Sequence, residues 1–142
     1  MNDDVLKLDN QLCFALYVCS KEVIRQYKPY LDPLGLTYTM YITLLALWEK
    51  DNITVSDLGK KLYLDSGTLT PLLKKMEEQE LVKRNRSSKD ERTVFITLTA
   101  KGKKLKTECK EIPVKMFCAS RLSPEKVQNL LQSLHELQKQ NT

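Results

Sequence analysis

Ser66, Thr68 and Thr70, followed by Lys74 and Lys75, are the residues of this chain whose types and spacing first suggest chemistry. On a helix they lie opposite Leu69, Leu72, Leu73 and Met76, which recur at i, i+3, i+4 and i+7. Short hydroxyls near a helix start can approach base edges, and lysines further along can reach phosphates. The chemistry implied is hydrogen bonding and charge neutralisation of a partner rather than bond making. Two surface helices of a small bundle would give the same stripe, so the flanking segments must decide.

Upstream, Thr54-Val-Ser-Asp57 offers an N-cap, and Val55, Leu58 and Leu62 repeat the apolar spacing over a short helix. Two short helices with a tight joint at Leu64-Asp65 predict a helix-turn-helix. Pro71 conflicts with a start at Asp65, because it removes a backbone donor beyond the first turn; Ser66 or Gly67 is then the alternative cap. Downstream, Leu81–Arg86 and Thr93–Leu98 alternate as strands around the charged turn Ser87–Arg92. Residues 81–106 carry nine Lys/Arg against two Asp/Glu, a balance of +7, which leaves −2 for the rest of a chain whose net charge is +5. Positive charge beside a reading helix and its hairpin points to a phosphate backbone. The segment reads as a winged helix-turn-helix that binds double-stranded DNA.

The remaining chain must support that unit. With 142 residues, a single domain with its own core is expected, and 42% hydrophobic against 29% charged residues suits a globular protein. No apolar run reaches the roughly 20 residues of a membrane span, and the acidic start lacks a secretory n-region, so a cytoplasmic protein without membrane contact is expected. The cysteines (13, 19, 109, 118) form no C-x-x-C pair and His135 is the lone histidine; neither a disulfide framework nor a metal site is expected, and no cofactor or catalytic residue is assigned.

Residues 5–31 predict a first long helix, capped by Asp9 or Asn10 or starting earlier at Asp3 or Asp4. Its apolar face is Leu12, Leu16, Val23, Ile24, Tyr27 and Leu31. Pro33 and Gly35 break the chain, and Thr37–Lys50 predicts a core helix through Tyr41, Ile42, Leu44, Leu45, Leu47 and Trp48. Thr99 caps a helix to about Ser120, bent at Pro113, and Ser123-Pro124 restarts one to the end. The fold class expected is mainly α with a small β-wing. Residues 37–98 form the winged helix-turn-helix, and 1–36 with 99–142 supply helices for a homodimer.

Asp65-Ser-Gly-Thr-Leu-Thr-Pro-Leu-Leu-Lys74 with Lys89-Asp-Glu-Arg92 resembles the MarR family of winged-helix repressors. Asn10-Gln-Leu-Cys-Phe-Ala-Leu-Tyr17, Tyr27-Lys-Pro29 and Leu36-Thr-Tyr38 are similar to one branch of it, the organic hydroperoxide resistance regulators. The likeness spans nearly the whole chain. It implies a homodimer on a pseudo-palindromic operator, released when organic hydroperoxide oxidises Cys13. Tyr17, Tyr27 and Tyr38 match tyrosines placed around that cysteine. Arg92 matches an arginine inserted into the minor groove, with Asp90 as its orienting partner. Ser66, Thr68, Thr70 and Lys75 match contact residues, with Lys74 and Lys89 as further cations. Asp65, an anion near phosphates, suits a cap better than a contact. The run Ile112–Cys118 resembles the two-cysteine form of the branch, which makes Cys118 the candidate resolving thiol.

The physics agrees with that implication. A thiolate attacks peroxide, and a thiol in the first turn of a helix feels the positive end of its dipole. Tyr17 sits one turn from Cys13, whereas Tyr27 is fourteen residues on, roughly 21 Å along a helix, so it reaches only a partner's Cys13 unless the helix breaks. Free cysteines are also commonly buried and inert. Three functions are distinct: the peroxide-sensing repressor, a repressor answering to a small aromatic ligand with the global and virulence regulators of the family beside it, and a thiol peroxidase, against which the absence of a histidine near Cys13 weighs.

Overall fold

A strongly apolar helix with no polar face to show to water has to become the centre of the structure. In the computed structural model, which describes residues 3–140, that helix is α2, Tyr38–Glu49. The Thr37 hydroxyl caps it by accepting from the Met40 N–H at 3.3 Å. Met40, Tyr41, Leu44, Ala46 and Leu47 are buried, and the buried Thr43 hydroxyl donates to the Thr39 carbonyl at 2.7 Å, so no polar atom is stranded. Leu45, expected in the core, is exposed on the remaining side of α2.

The chain folds as two compact units, Met1–Cys109 and Lys110–Thr142. In the first, α1 (Leu12–Leu31), α3 (Val55–Leu62), α4 (Ser66–Glu78) and α5 (Ala100–Cys109) pack on α2 directly. A three-stranded antiparallel sheet has the order β1 (Ile53–Thr54), β3 (Val94–Leu98), β2 (Val82–Arg86). Val82 opposes Leu98 and Arg86 opposes Val94, so residues 87–93 form the hairpin tip. On β3 Ile96 is fully buried but Val94, Phe95, Thr97 and Leu98 are all half-buried, so burial does not alternate along it; on β2 only Val82 is buried and the next four residues are exposed. Strand β1 is too short to show any alternation and was not expected. Asp51, just past α2, accepts from the Leu98 N–H at 2.9 Å and so fixes the end of β3 to the end of α2.

Two helix boundaries differ from expectation. The first helix begins at Leu12, not near residue 5, and neither Asp3, Asp4, Asp9 nor Asn10 caps it. Two 3-10 turns, Asp3–Leu6 and Leu8–Asn10, precede it, because side chains there bond the local backbone instead. Asn10 Nδ2 donates to the Asp4 carbonyl at 2.7 Å, and Gln11 Nε2 donates to the Val5 and Lys7 carbonyls at 2.8 and 2.9 Å. The expected bent helix from Thr99 to Ser120 is two helices. Thr99 does cap α5, accepting from the Gly102 N–H at 3.1 Å, but α5 ends at Cys109. Pro113 then lies in the first turn of a new helix, where its missing N–H is not needed.

The second unit contains that helix, α6 (Ile112–Ser120), and α7 (Pro124–Gln140). Ser123 Oγ accepts from the Lys126 N–H at 3.2 Å, the cap expected for α7. Phe117, Leu122, Leu130 and Leu131 are exposed here. In the first unit, Val5, Leu6 and Leu8 are exposed as well; of the apolar face expected of the first helix, Leu12, Val23 and Ile24 are exposed, Leu16 and Tyr27 half-buried and Leu31 buried. Among the described residues no helix is long and apolar enough to cross a membrane.

Candidate nucleic-acid interface and thiol site

The joint between α3 and α4 sets the pose of the reading helix. Thr54 caps α3 by accepting from the Asp57 N–H at 3.1 Å. Tyr63 then turns the chain with φ +56°, and the Leu64 N–H donates to the Gly59 carbonyl at 3.0 Å. A Cβ on Gly59 would lie 2.8 Å from the Leu64 carbonyl oxygen, so glycine is required at this turn. Asp65 caps α4: its carboxylate accepts from the Thr68 N–H at 2.8 Å, and that bond holds its pKa below the ordinary value. The uncertainty at Pro71 resolves in favour of the earlier start, with the proline inside an otherwise continuous helix. Leu69, Leu73 and Met76 are buried, while Ser66, Thr68, Thr70, Lys74 and Lys75 are exposed. One face of α4 is anchored and the other presents hydroxyls, then cations.

At the wing tip, Asp90 accepts from the Arg92 N–H at 3.0 Å and from the Thr93 hydroxyl at 3.4 Å, so it orders the turn through the backbone of Arg92. Ser87 Oγ accepts from the Lys89 N–H at 3.1 Å. Both Lys89 and Arg92 are exposed on this loop. One residue outside the expected site ties the wing to the reading helix. Glu77 on α4 accepts from the Arg84 backbone N–H at 3.0 Å and from its Nε and Nη2 at 3.3 and 3.1 Å. The backbone bond is the leading reason its carboxyl titrates below the usual range. Its position seven residues before Arg84, across a turn, carried no periodic signal.

The expected thiol site falls into two halves. Cys13 is the second residue of α1 and exposed; Tyr17, one turn on, is exposed with Lys21 Nζ 4.7 Å over its ring. At the other end of the helix, the Tyr27 and Tyr38 rings lie 4.9 Å apart. Tyr41 completes the cluster at 5.6 Å from Tyr27 and 6.2 Å from Tyr38. It had been read only as core, although Tyr38 and Tyr41 stand three apart on one helix and so share a face. Burial raises all three phenol pKa values, with Tyr41 pushed up to about 12, so the three stay protonated hydrogen-bond donors near neutral pH. Helix α1 runs unbroken from Leu12 to Leu31, and Tyr27 is therefore roughly 21 Å along it from its own Cys13.

The other cysteines differ in setting. Cys109 is buried, and burial, then Glu108, pushes its thiol pKa up, which suits an inert core thiol. Cys19 and Cys118 are exposed, Cys118 on α6 of the second unit. Among the described residues no group of three or more His, Cys, Asp or Glu is placed to hold a metal ion.

The family model for the transcriptional regulator SarA/Rot matches residues 25–109. An organic hydroperoxide resistance transcriptional regulator of Bacillus subtilis is 50% identical over 134 residues, covering 94% of this chain and 91% of that protein. A structure of reduced AbfR bound to DNA superposes with a TM-score of 0.81 at 34% identity, covering 99% of this chain and 97% of that one. A structure of disulfide-formed AbfR superposes with a TM-score of 0.67 at 37% identity, covering 95% of each chain. The chain belongs to the MarR family of winged-helix transcriptional regulators, on the branch it shares with the organic hydroperoxide resistance regulators and SarA/Rot.

Proposed function

We propose that this protein is a homodimeric repressor that holds duplex DNA with α4 and the wing and lets go when an organic hydroperoxide oxidises Cys13. The observation that carries the reading is the split thiol site. An exposed Cys13 stands at the start of an unbroken α1, the Tyr27–Tyr38 pair lies toward its other end, and Val18, Val23 and Ile24 between them are exposed. A second copy packed on these residues gives each Cys13 a partner's tyrosines and covers the exposed side chains. The segments 1–36 and 99–142 are the dimerisation helices of this reading, and 37–98 is the DNA reader. The relative's DNA-bound reduced form and its disulfide form support a thiol switch.

The mechanism follows from the residues. The Cys13 thiolate attacks the distal peroxide oxygen, the O–O bond breaks, and an alcohol leaves after taking up a proton. Sulfur is oxidised to sulfenic acid, and Tyr27 and Tyr38 donate hydrogen bonds at the site. A second thiol, from Cys118 or a small molecule, then attacks that sulfur and expels water, forming a disulfide. On DNA, Ser66, Thr68 and Thr70 face base edges, Lys74, Lys75 and Lys89 face phosphates, and Arg92 enters the minor groove behind the turn ordered by Asp90. Two such readers sit about one helical turn apart on a pseudo-palindrome. The protein acts on DNA in the cytoplasm and spends each oxidation on release rather than on turnover, so no enzymatic role is assigned. The SarA/Rot match favours a second reading of the genes governed, a global or virulence regulon under the same switch.

The test is a gel shift on the DNA upstream of the protein's own gene, with and without cumene hydroperoxide. Reduced protein is expected to bind and oxidised protein to release, with Cys13→Ser binding in both states. Release from the Cys13→Ser variant would move the sensor elsewhere or make the signal a small aromatic ligand.

A further inference from the structure

A duplex read by a helix in its major groove and by a wing in the adjacent minor groove has one sugar–phosphate strand between the two. In this chain the surface between helix and wing is a groove of about 390 Å³. Its lining includes Thr70 of α4, Ser56 in the first turn of α3, Arg84 and Arg86 of β2, and Arg92 of the wing tip. Three guanidinium groups thus border one groove, and no carboxylate among the described residues lines it.

The three arginines are not equivalent. Arg84 is paired with Glu77 at 3.1 Å, which offsets its charge and commits it to holding β2 against α4. Arg92 stands on the tip, where the reading above sends it into the minor groove. Arg86 lies between them. Its Nη1 donates to the Glu91 carbonyl at 2.8 Å, a neutral acceptor that fixes the guanidinium without cancelling its charge. A cation so held has further N–H donors available to an anion.

We propose that this groove seats a backbone phosphodiester of the bound duplex, gripped by Arg86 with the Ser56 hydroxyl as a second donor. The inference rests on the DNA-binding reading and adds to it a contact indifferent to sequence. A phosphate carries no base identity, so Arg86 sets register and affinity, while α4 and Arg92 discriminate among sequences.

The test follows a fluorescein-labelled random-sequence duplex by anisotropy, titrated with the reduced full-length protein over a series of potassium chloride concentrations. Arg86→Ala is expected to lower affinity about a hundred-fold, the loss of one charged hydrogen bond, worth about ten-fold, on each of the two subunits. It should also shrink the slope of log affinity against log salt by ~1.8, the share of two phosphates, one on each subunit of the dimer. Arg86→Gln keeps a donor for the Glu91 carbonyl but no charge, and should lose the same slope; Arg86→Lys should regain it. If wild type binds and the slope of Arg86→Gln matches it, Arg86 is only a brace for the wing and the proposal is overturned while the DNA reading stands. If wild type shows no salt-dependent binding, both fall together.

Discussion

The indole Nε1 of Trp48 donates to the carbonyl of Gly102, 54 residues away, at 2.9 Å. This bond joins the end of α2 to the start of α5. Gly102 itself sits where a Cβ would lie 2.3 Å from the Leu81 carbonyl oxygen and 3.1 Å from Leu98 Cδ2. On the same turn, Thr99 donates to the Glu80 carbonyl at 2.6 Å and Lys101 Nζ to the Gln79 carbonyl at 2.9 Å. Reading helix, wing and α5 therefore meet at one clasp, and α2 carries that clasp at one end and Tyr38 with Tyr41 at the other.

Gly102→Ala is expected to destabilise the protein by about 3 kcal/mol, because the nearest clashing atom, the Leu81 carbonyl oxygen, belongs to backbone and cannot rotate away. Trp48→Phe keeps most of the packing and loses one hydrogen bond, for about 1 kcal/mol. Urea unfolding followed by circular dichroism measures both. Equal stability of Gly102→Ala and wild type would refute the close approach.

Acid should loosen the DNA-binding half first. Asp65 and Glu77 both have folded pKa values held below their ordinary 3.8 and 4.5. Depressed carboxyl pKa values mean stability that is present above those ordinary values and lost as pH falls through the folded ones. The stability of wild type is therefore expected to drop below about pH 4.5 and that of Asp65→Asn with Glu77→Gln to drop less. Both groups face solvent, so the effect is small and shrinks further with salt. Urea midpoints at neutral pH and in acid, for both proteins, give the comparison; parallel pH curves would remove these two carboxylates from the account.

How far these features could be read beforehand depended on whether their signal was periodic. Leu69, Leu73 and Met76 buried one face of α4, as their spacing required, and Thr54, Thr99 and Ser123 capped the helices they precede. Signals with two physical meanings misled. Pro113 kinks a helix when read as interior and starts one when read as first-turn, and only the break after Cys109 decides. The acidic and amide residues before Leu12 suited both a helix cap and a local turn, and the side-chain bonds of Asn10 and Gln11 chose the turn. Contacts outside any one element's periodicity left no trace there, Trp48 with Gly102 and Glu77 with Arg84, and the grouping of Tyr27 with Tyr38 was legible only through the family resemblance.

The resolving thiol can be identified by electrophoresis. Cys109 is buried, and Cys19 lies about 240° round α1 from Cys13, where a bond would require unwinding. Cys118, exposed on α6, is the thiol that the resemblance to the two-cysteine form of the branch singles out. After mild cumene hydroperoxide treatment, a non-reducing gel is expected to show a cross-linked dimer that disappears in both Cys13→Ser and Cys118→Ser. A monomer band carrying a small-thiol adduct on Cys13 would instead assign resolution to a diffusible thiol.

The strongest consequence of the unbroken α1 for the proposed switch is that a thiol site holding both Cys13 and Tyr27 would draw on two chains. Tyr27→Phe alone should leave reduced DNA binding intact and slow trapping of the Cys13 sulfenic acid; Cys13→Ser alone should form none. Mixing the two variants pairs a chain that has Cys13 but lacks the Tyr27 hydroxyl with one that has the hydroxyl but lacks the thiol. If the site is built across the interface, one of the two sites in every mixed dimer is whole. A fast phase should then return for roughly half of the remaining Cys13 thiols, the share expected of random exchange across a two-fold interface. If Tyr27 served its own chain's Cys13, no site in the mixture would be whole and the fast phase would stay absent. Stopped-flow mixing with hydroperoxide and a sulfenic-acid-trapping reagent, after subunit exchange, separates the two outcomes.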